Sequence, residues 1–375
     1  MSDRAAANEK KTRALSLDFD FEFEKELGRK LPEMVTLTRL VRSLAQVGSG
    51  RESCNTRINV EATVAWKGRT FPLISIVMGS EDPEAPTLGI FGGVHGLERI
   101  GSDVVLSWIQ SLSETVEWDE SLRERMKRSR LVFMPIVNPV GIFEMQRSNG
   151  NGVDLMRNSP IRAEEPPVFL LGGQHISNRL PWYSPYINRA DEMEVESLAL
   201  CRLVEREMFK SKHAVTVDVH SGFGSVDRFW FPWAKSKRPP PHIEEITALK
   251  RLFDRSHPNH VYQIEPQAKS YTTHGDLWDW LYDRHMERPS KEGVYIPFTL
   301  ELGSWLWLRK NPRQVFSALG AFNPIQPHRF KRILRRHMTL FDFLHRAVVS
   351  PKAWTELSEL ERAQLRRRAS DLWYE

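Results

Sequence analysis

The chain has 375 residues, 41% of them hydrophobic, and its 53 Lys and Arg against 48 Asp and Glu leave a net charge of +5. That apolar share can bury a full core, which excludes a disordered chain, and the mild charge weighs against a nucleic-acid partner. No apolar run is long enough to span a membrane, Met1 to Lys11 hold no hydrophobic signal core, and Cys54 and Cys201 make no disulfide framework, so a cytoplasmic protein is expected.

Residues 1–57 read as an N-terminal extension, partly helical. Asn59 to Trp66 and Thr70 to Met78 form a predicted hairpin around Lys67-Gly68. Thr87 to Val94 reads as a buried strand, and Ile100 to Leu112 has helical spacing through Val104, Val105, Trp108 and Leu112. Leu131 to Val137 is a second buried strand, ending at Asn138-Pro139. Between Ser159 and Arg189 the composition shifts to Pro, Gly, Asn and aromatics, a long loop suited to walling a cleft. Asp191 to Lys210 reads as helix, Val215 to Val219 as strand, Ile243 to Arg255 as helix and Val294 to Gly303 as an apolar strand. Phe330, Ile333, Leu334, Met338, Phe341, Leu344 and Val348 recur at helical spacing, and a further helix is expected over Trp354 to Leu372 with Arg366, Arg367 and Arg368. The fold class is therefore α/β, a mixed central sheet flanked by helices over residues 58–325. Basic amphipathic C-terminal helices over 326–375 pack on it, presenting a solvated basic face.

The chemistry sits at strand ends. His95 and Glu98 follow the apolar run Leu88 to Phe91 through Gly92 and Gly93, so an imidazole and a carboxylate three residues apart can hold one metal ion from a single turn. His220, at the end of Val215 to Val219 and followed by Ser221-Gly222, supplies the imidazole that completes a hydrolytic zinc site with one position open. With 12 His in the chain, the His-x-x-Glu spacing alone recurs by chance about once. His242-Ile243-Glu244-Glu245 is such a recurrence, and there the acids read as helix-start chemistry. Glu301, in an apolar strand, is the expected general base, desolvated and tuned by the metal.

The set His95-x-x-Glu98, Asn138-Pro139-Val140-Gly141, Arg147, Gly152-Val153-Asp154-Leu155-Met156-Arg157-Asn158, His220-Ser221, Tyr271 and Phe298-Thr299-Leu300-Glu301 occurs in one order. In that order it resembles the M14 zinc carboxypeptidase family, from about Asn59 to about Gly303. The resemblance implies one Zn2+ per chain on His95, Glu98 and His220, with Glu301 as catalytic base and Arg147 beside the oxyanion. It also implies that Asp154 receives the outer ring N–H of His95, and that Arg157, Asn158 and Tyr271 bind substrate. Met156 departs from the family's usual Asn, which weakens or alters carboxylate recognition, and Trp278 is expected near the specificity pocket, giving no preference for basic side chains.

The leading reading is a metallocarboxypeptidase that releases a C-terminal residue from a peptide. An N-acyl amino acid amidohydrolase, similar to the succinylglutamate desuccinylase and aspartoacylase group, is the alternative, because Met156 and the His-Gly-x-Glu form suit it. A non-catalytic binding protein on the same scaffold ranks third, since a dead scaffold need not keep Glu301. The oligomeric state is left open.

Overall fold

The structure is a computed structural model that describes residues 20–47, 54–289, 293–317 and 319–375. Helix α1 (Phe21–Lys30) starts at Asp20, whose side chain accepts the Phe23 N–H at 2.9 Å, and α2 (Pro32–Val47) follows. Their apolar faces, with Phe23, Leu27, Met34 and Leu37, enter the same core as the sheet, and Phe23 meets Phe71 edge-on at 5.3 Å between ring centres. The N-terminal helices are thus part of the main packing unit.

Strands β1 (Thr56–Trp66) and β2 (Arg69–Gly79) form the expected hairpin. Lys67 and Gly68 both take positive φ, 47° and 74°, the two-residue geometry whose twist matches flanking strands. Strands β3 (Thr87–Gly92), β4 (Arg130–Met134), β5 (His213–Ser221), β6 (Arg228–Phe231), β7 (Gln263–Pro266) and β8 (Val294–Leu302) complete an eight-stranded sheet in the order β1-β2-β4-β3-β5-β8-β6-β7. Its middle, β4-β3-β5-β8, is parallel, and both margins carry antiparallel pairs. Parallel central strands are covered on both faces, which is why β3, β4 and β5 read as continuous apolar runs. The strand expected to reach Val94 stops at Gly92, because Gly93 at φ 68° turns the chain out of extended backbone.

One face is covered by α3 (Arg99–Thr115), α4 (Glu120–Lys127), α5 (Pro139–Phe143) and, further along the chain, α7 (Ile243–Ser256); the other by α6 (Val195–Met208) and α8 (Leu277–Met286). The C-terminal region differs from expectation in two ways. The predicted continuous helix splits after α9 (Trp305–Lys310) into α10 (Pro327–Arg336) and α11 (Met338–Val349), separated by His337. His337 is fully buried with Nδ1 2.9 Å from the Tyr262 hydroxyl, so a polar anchor interrupts the apolar stripe. The last predicted helix divides into α12 (Lys352–Thr355) and α13 (Glu359–Ala369), which restarts at a capping box of Ser358 and Glu361. Arg366, Arg367 and Arg368 are exposed as expected, and the helix also reaches acids of α7. Arg362 bonds Glu245 at 2.7 Å and Arg366 bonds Glu244 at 2.6 Å, so the His242-x-x-Glu245 acids serve as anchors for the tail.

The turn after β4 ties the start of α5 to the segment leaving β3. Asn138 is fully buried, accepts the Gly141 N–H at 2.8 Å as the cap of α5, and donates from Nδ2 to the Val94 carbonyl at 3.1 Å. Asn138→Ala removes a cap and leaves that buried carbonyl without its donor, so unfolding in urea should show a loss of about 2 kcal/mol with an unchanged denaturant slope.

Candidate active site

β3 and β5 are parallel neighbours, with Gly92 paired to Val219, so the residues leaving their carboxyl ends emerge side by side. From β3 the chain turns through Gly96, where a Cβ would lie 2.0 Å from the Gly141 carbonyl carbon, so only glycine lets this turn approach the α5 turn. His95 and Glu98 are thereby placed at the start of α3, and His220 arrives from β5. His95 Nδ1 lies 2.9 Å from Glu98 Oε1, and His220 Nδ1 lies 3.2 Å from His95 Nδ1 and 3.1 Å from Glu98 Oε2. All three side chains are buried. A four-coordinate zinc with bonds near 2.1 Å keeps its ligands about 3.4 Å apart, so this two-nitrogen, one-oxygen cluster fits that ion with one position open.

The outer nitrogens are braced. His95 Nε2 lies 3.1 Å from Asp154 Oδ1, and His220 Nε2 lies 2.7 Å from Asp218 Oδ2. The Asp218 carboxylate favours a proton on the outer nitrogen of His220, which leaves its inner lone pair for a metal, while His95 Nε2 also meets Arg147 Nη2 at 2.9 Å. Asp154 is itself gripped by Arg147 Nε and Arg157 Nη1, both at 2.9 Å. Arg147 also donates from Nη1 to Glu98 at 2.9 Å, which places its guanidinium beside the cluster.

Charge follows from this packing. Burial opposes ionisation of Glu98, yet His95 and His220 hold its carboxyl well below the usual range. Burial likewise opposes ionisation of Asp154, and Arg147, Arg157 and His95 overcome it. Burial disfavours a charged His220, but Asp218 and Glu98 carry its pKa well above the ordinary value. Glu301 stands opposite His220 in the β5–β8 register, and its Oε1 accepts the Phe223 N–H at 2.9 Å. Burial first, then the neighbouring Glu98, push its carboxyl up to about 8.

A cavity of about 310 Å3 opens over the cluster, with His95, Glu98, Arg147, Arg157, His220, Tyr271 and Glu301 in its lining. Leu171, Pro181 and Trp182, from the long loop, wall one side. Burial pushes the Tyr271 phenol up to about 12, so it is a proton donor at neutral pH; its ring lies 5.6 Å from that of Phe223. Arg157 spends Nε and Nη2 on the Leu171 carbonyl at 3.2 and 2.7 Å.

Two expectations change. Asn158 does not line the cavity; it is buried, and its Oδ1 accepts the Glu194 N–H at 2.7 Å ahead of α6. Trp278 also lies off the cavity, because its indole donates to Asp218 at 2.9 Å and packs on Phe91. The cavity wall carries Asp276 there, a carboxylate that the reading without charge missed. Asp218 was missed as well. Its signal is an acid within an apolar strand two residues before His220, hence on the same face of β5.

The zinc carboxypeptidase family model, Peptidase_M14, matches residues 50–305. Carboxypeptidase SOL1 of Arabidopsis thaliana is 23% identical over 246 residues, covering 63% of this chain and 44% of that protein. The chain therefore spans less than half of that relative. Among solved structures, bovine thrombin-activatable fibrinolysis inhibitor, in complex with tick carboxypeptidase inhibitor, is 16% identical, with a TM-score of 0.58 over 87% of this chain and 97% of that one. Carboxypeptidase A from Helicoverpa armigera is 16% identical, with a TM-score of 0.55 over 83% and 71%. The structural likenesses carry the fold, the family model spans more than half of the chain and includes every residue of the metal cluster, and the chain belongs to the M14 zinc carboxypeptidase family.

Proposed function

We propose that the chain is a carboxypeptidase holding one zinc ion on His95, Glu98 and His220 and hydrolysing the last peptide bond of its substrate. The observation that carries this reading is the convergence of two imidazole nitrogens and one carboxylate within 2.9–3.2 Å, beside a second buried carboxylate on the neighbouring strand. Bound there, zinc supplies Lewis acidity, making water acidic enough to attack near neutral pH and polarising the scissile carbonyl.

The chain's own groups do the rest. Glu301 takes a proton from the attacking water and returns it to the leaving nitrogen as the carbon–nitrogen bond breaks. Arg147 donates to the oxygen on which negative charge develops, in a site dry enough to strengthen that contact. The Arg157 protons not used by Asp154 and Leu171, together with the Tyr271 phenol, hold the substrate's terminal carboxylate. Asp276 in the cavity wall favours a polar or cationic side chain on the released residue. A second reading, hydrolysis of a small N-acyl amino acid, draws support from Met156, which lines the cavity and offers no hydrogen bond in place of the family's Asn.

A substrate panel separates these readings. Free peptides should be shortened from the C-terminus faster than N-acyl amino acids are cleaved, and amidating the terminal carboxylate should lower kcat/KM by about 10- to 100-fold, the worth of a charge-assisted hydrogen bond. Preferential cleavage of the small N-acyl compounds would transfer the assignment to the second reading.

Glu301→Gln keeps the shape but not the base. Its turnover should fall by about 10²- to 10⁴-fold with zinc content by elemental analysis unchanged, and full activity would remove Glu301 from its role.

Metal uptake should also release protons. In the metal-free protein near pH 7, His220 carries a proton because its pKa is raised, and Glu301, up to about 8, largely keeps its own. Glu98 and Asp154 are already ionised and contribute none. Titration calorimetry with zinc in buffers of different ionisation enthalpy should show proton release near pH 7, to which His220 and Glu301 contribute. Near pH 9 the Glu301 contribution is gone, because that group is ionised before the metal arrives.

A further inference from the structure

The family match ends at residue 305, yet the chain beyond it returns to the metal cluster. Residues 319–323 lie across the loops that carry the ligands. Asn323 Oδ1 accepts the Ile100 N–H at 2.9 Å, and its Nδ2 donates to the Leu97 carbonyl at 2.7 Å, so one amide grips the backbone on both sides of Glu98. The next carbonyl back, that of Phe322, accepts the Ser221 hydroxyl at 2.7 Å, one residue after His220. The strap is fixed in turn by Gln314, buried to 1% exposure, whose Nε2 donates to the Gly320 and Asn323 carbonyls, both at 2.7 Å.

The need for this arrangement lies in Glu98. It occupies the N-cap position of α3, where a side-chain oxygen ordinarily accepts the N–H two or three residues on, but its carboxylate faces His95 and His220 and makes no capping bond. The Ile100 N–H is then one of the orphan donors of a helix start. Asn323 supplies the missing cap from more than 200 residues away. The opposite side is held from the other end of the chain: Arg99 Nε and Nη2 bond both oxygens of buried Glu33 on α2, each at 2.7 Å.

We propose that Asn323 is a positioning residue of the metal centre: by capping α3 in place of Glu98 it frees that carboxylate to be a ligand, and with the Phe322 carbonyl it fixes the Glu98 turn against the His220 strand end. The inference rests on the zinc reading above. The strap lies outside the residues that the family model matches.

Zinc affinity, measured by competition with a chromophoric chelator at a temperature where every variant is folded, tests it. Asn323→Ala should weaken zinc binding by about 10- to 100-fold, the usual cost of removing an outer support of a metal ligand. Ser358→Ala removes a helix cap of the same kind on remote α13 and should leave zinc affinity at the wild-type value. Asn323→Ala binding zinc as tightly as wild type, or Ser358→Ala weakening it equally, overturns the proposal. If Asn323→Ala does not fold, Ser221→Ala severs only the hydroxyl bridge to the strap; an affinity loss of about two- to tenfold supports the assignment and none refutes it. Failure of the wild-type chain itself to bind zinc would instead strike the functional reading.

Discussion

The site depends on an imbalance of buried charge. Glu98, Asp154, Asp218 and Glu301 are four buried carboxyl groups around two imidazoles, and the guanidiniums they meet are those of Arg147 and Arg157. Carboxylates taken out of water need compensation from partners or protons, since desolvation alone costs several kcal/mol per ion. In the metal-free chain protons fill the gap, which is the common reason that His220 is held well above its ordinary pKa and Glu301 is pushed up to about 8. A dication supplies the same compensation at the inner nitrogens and leaves Glu301 free to accept a proton. The features that make the cluster electrostatically awkward when empty are those that make it useful when loaded.

Backbone geometry sets the location. Four central strands run parallel, so their carboxyl ends share one edge, and ligands of open α/β sheets gather along such an edge. His95 and Glu98 leave β3, His220 ends β5, and Glu301 faces His220 on β8. These positions were legible from sequence because each signal is local: an apolar run with a glycine beside it and a His or Glu at its end. The hairpin at Lys67-Gly68 was legible for the same reason.

What escaped the sequence has no local signature. Asn323 reaches Leu97 and Ile100 across more than 220 positions, and nothing in Phe322-Asn323-Pro324 marks a helix cap for a different segment. His337 sits within an apolar periodicity that ignores it, and its partner, the Tyr262 hydroxyl, lies on a distant segment. The bonds of Arg362 to Glu245 and of Arg366 to Glu244 were not legible because those acids belong to α7. Trp278 sits where an aromatic could line a pocket, but its indole N–H finds Asp218 instead. In each case a distant partner decided between two locally equivalent outcomes.

The two ends of the chain therefore have a shared structural consequence. Glu33, before the family-matched residues, bonds Arg99; Asn323, after them, bonds Ile100 and Leu97. Both contacts fall within two residues of Glu98. Of the three cluster donors it is the only carboxylate, and it begins a helix instead of ending a strand, so its position is set by a helix terminus with unmet backbone donors. His95 and His220 are each oriented by a carboxylate at the outer ring nitrogen. The Glu98 carboxylate instead accepts from Arg147 Nη1 at 2.9 Å and from the Ser221 N–H at 3.0 Å, while Asn323 fixes the backbone on either side of it.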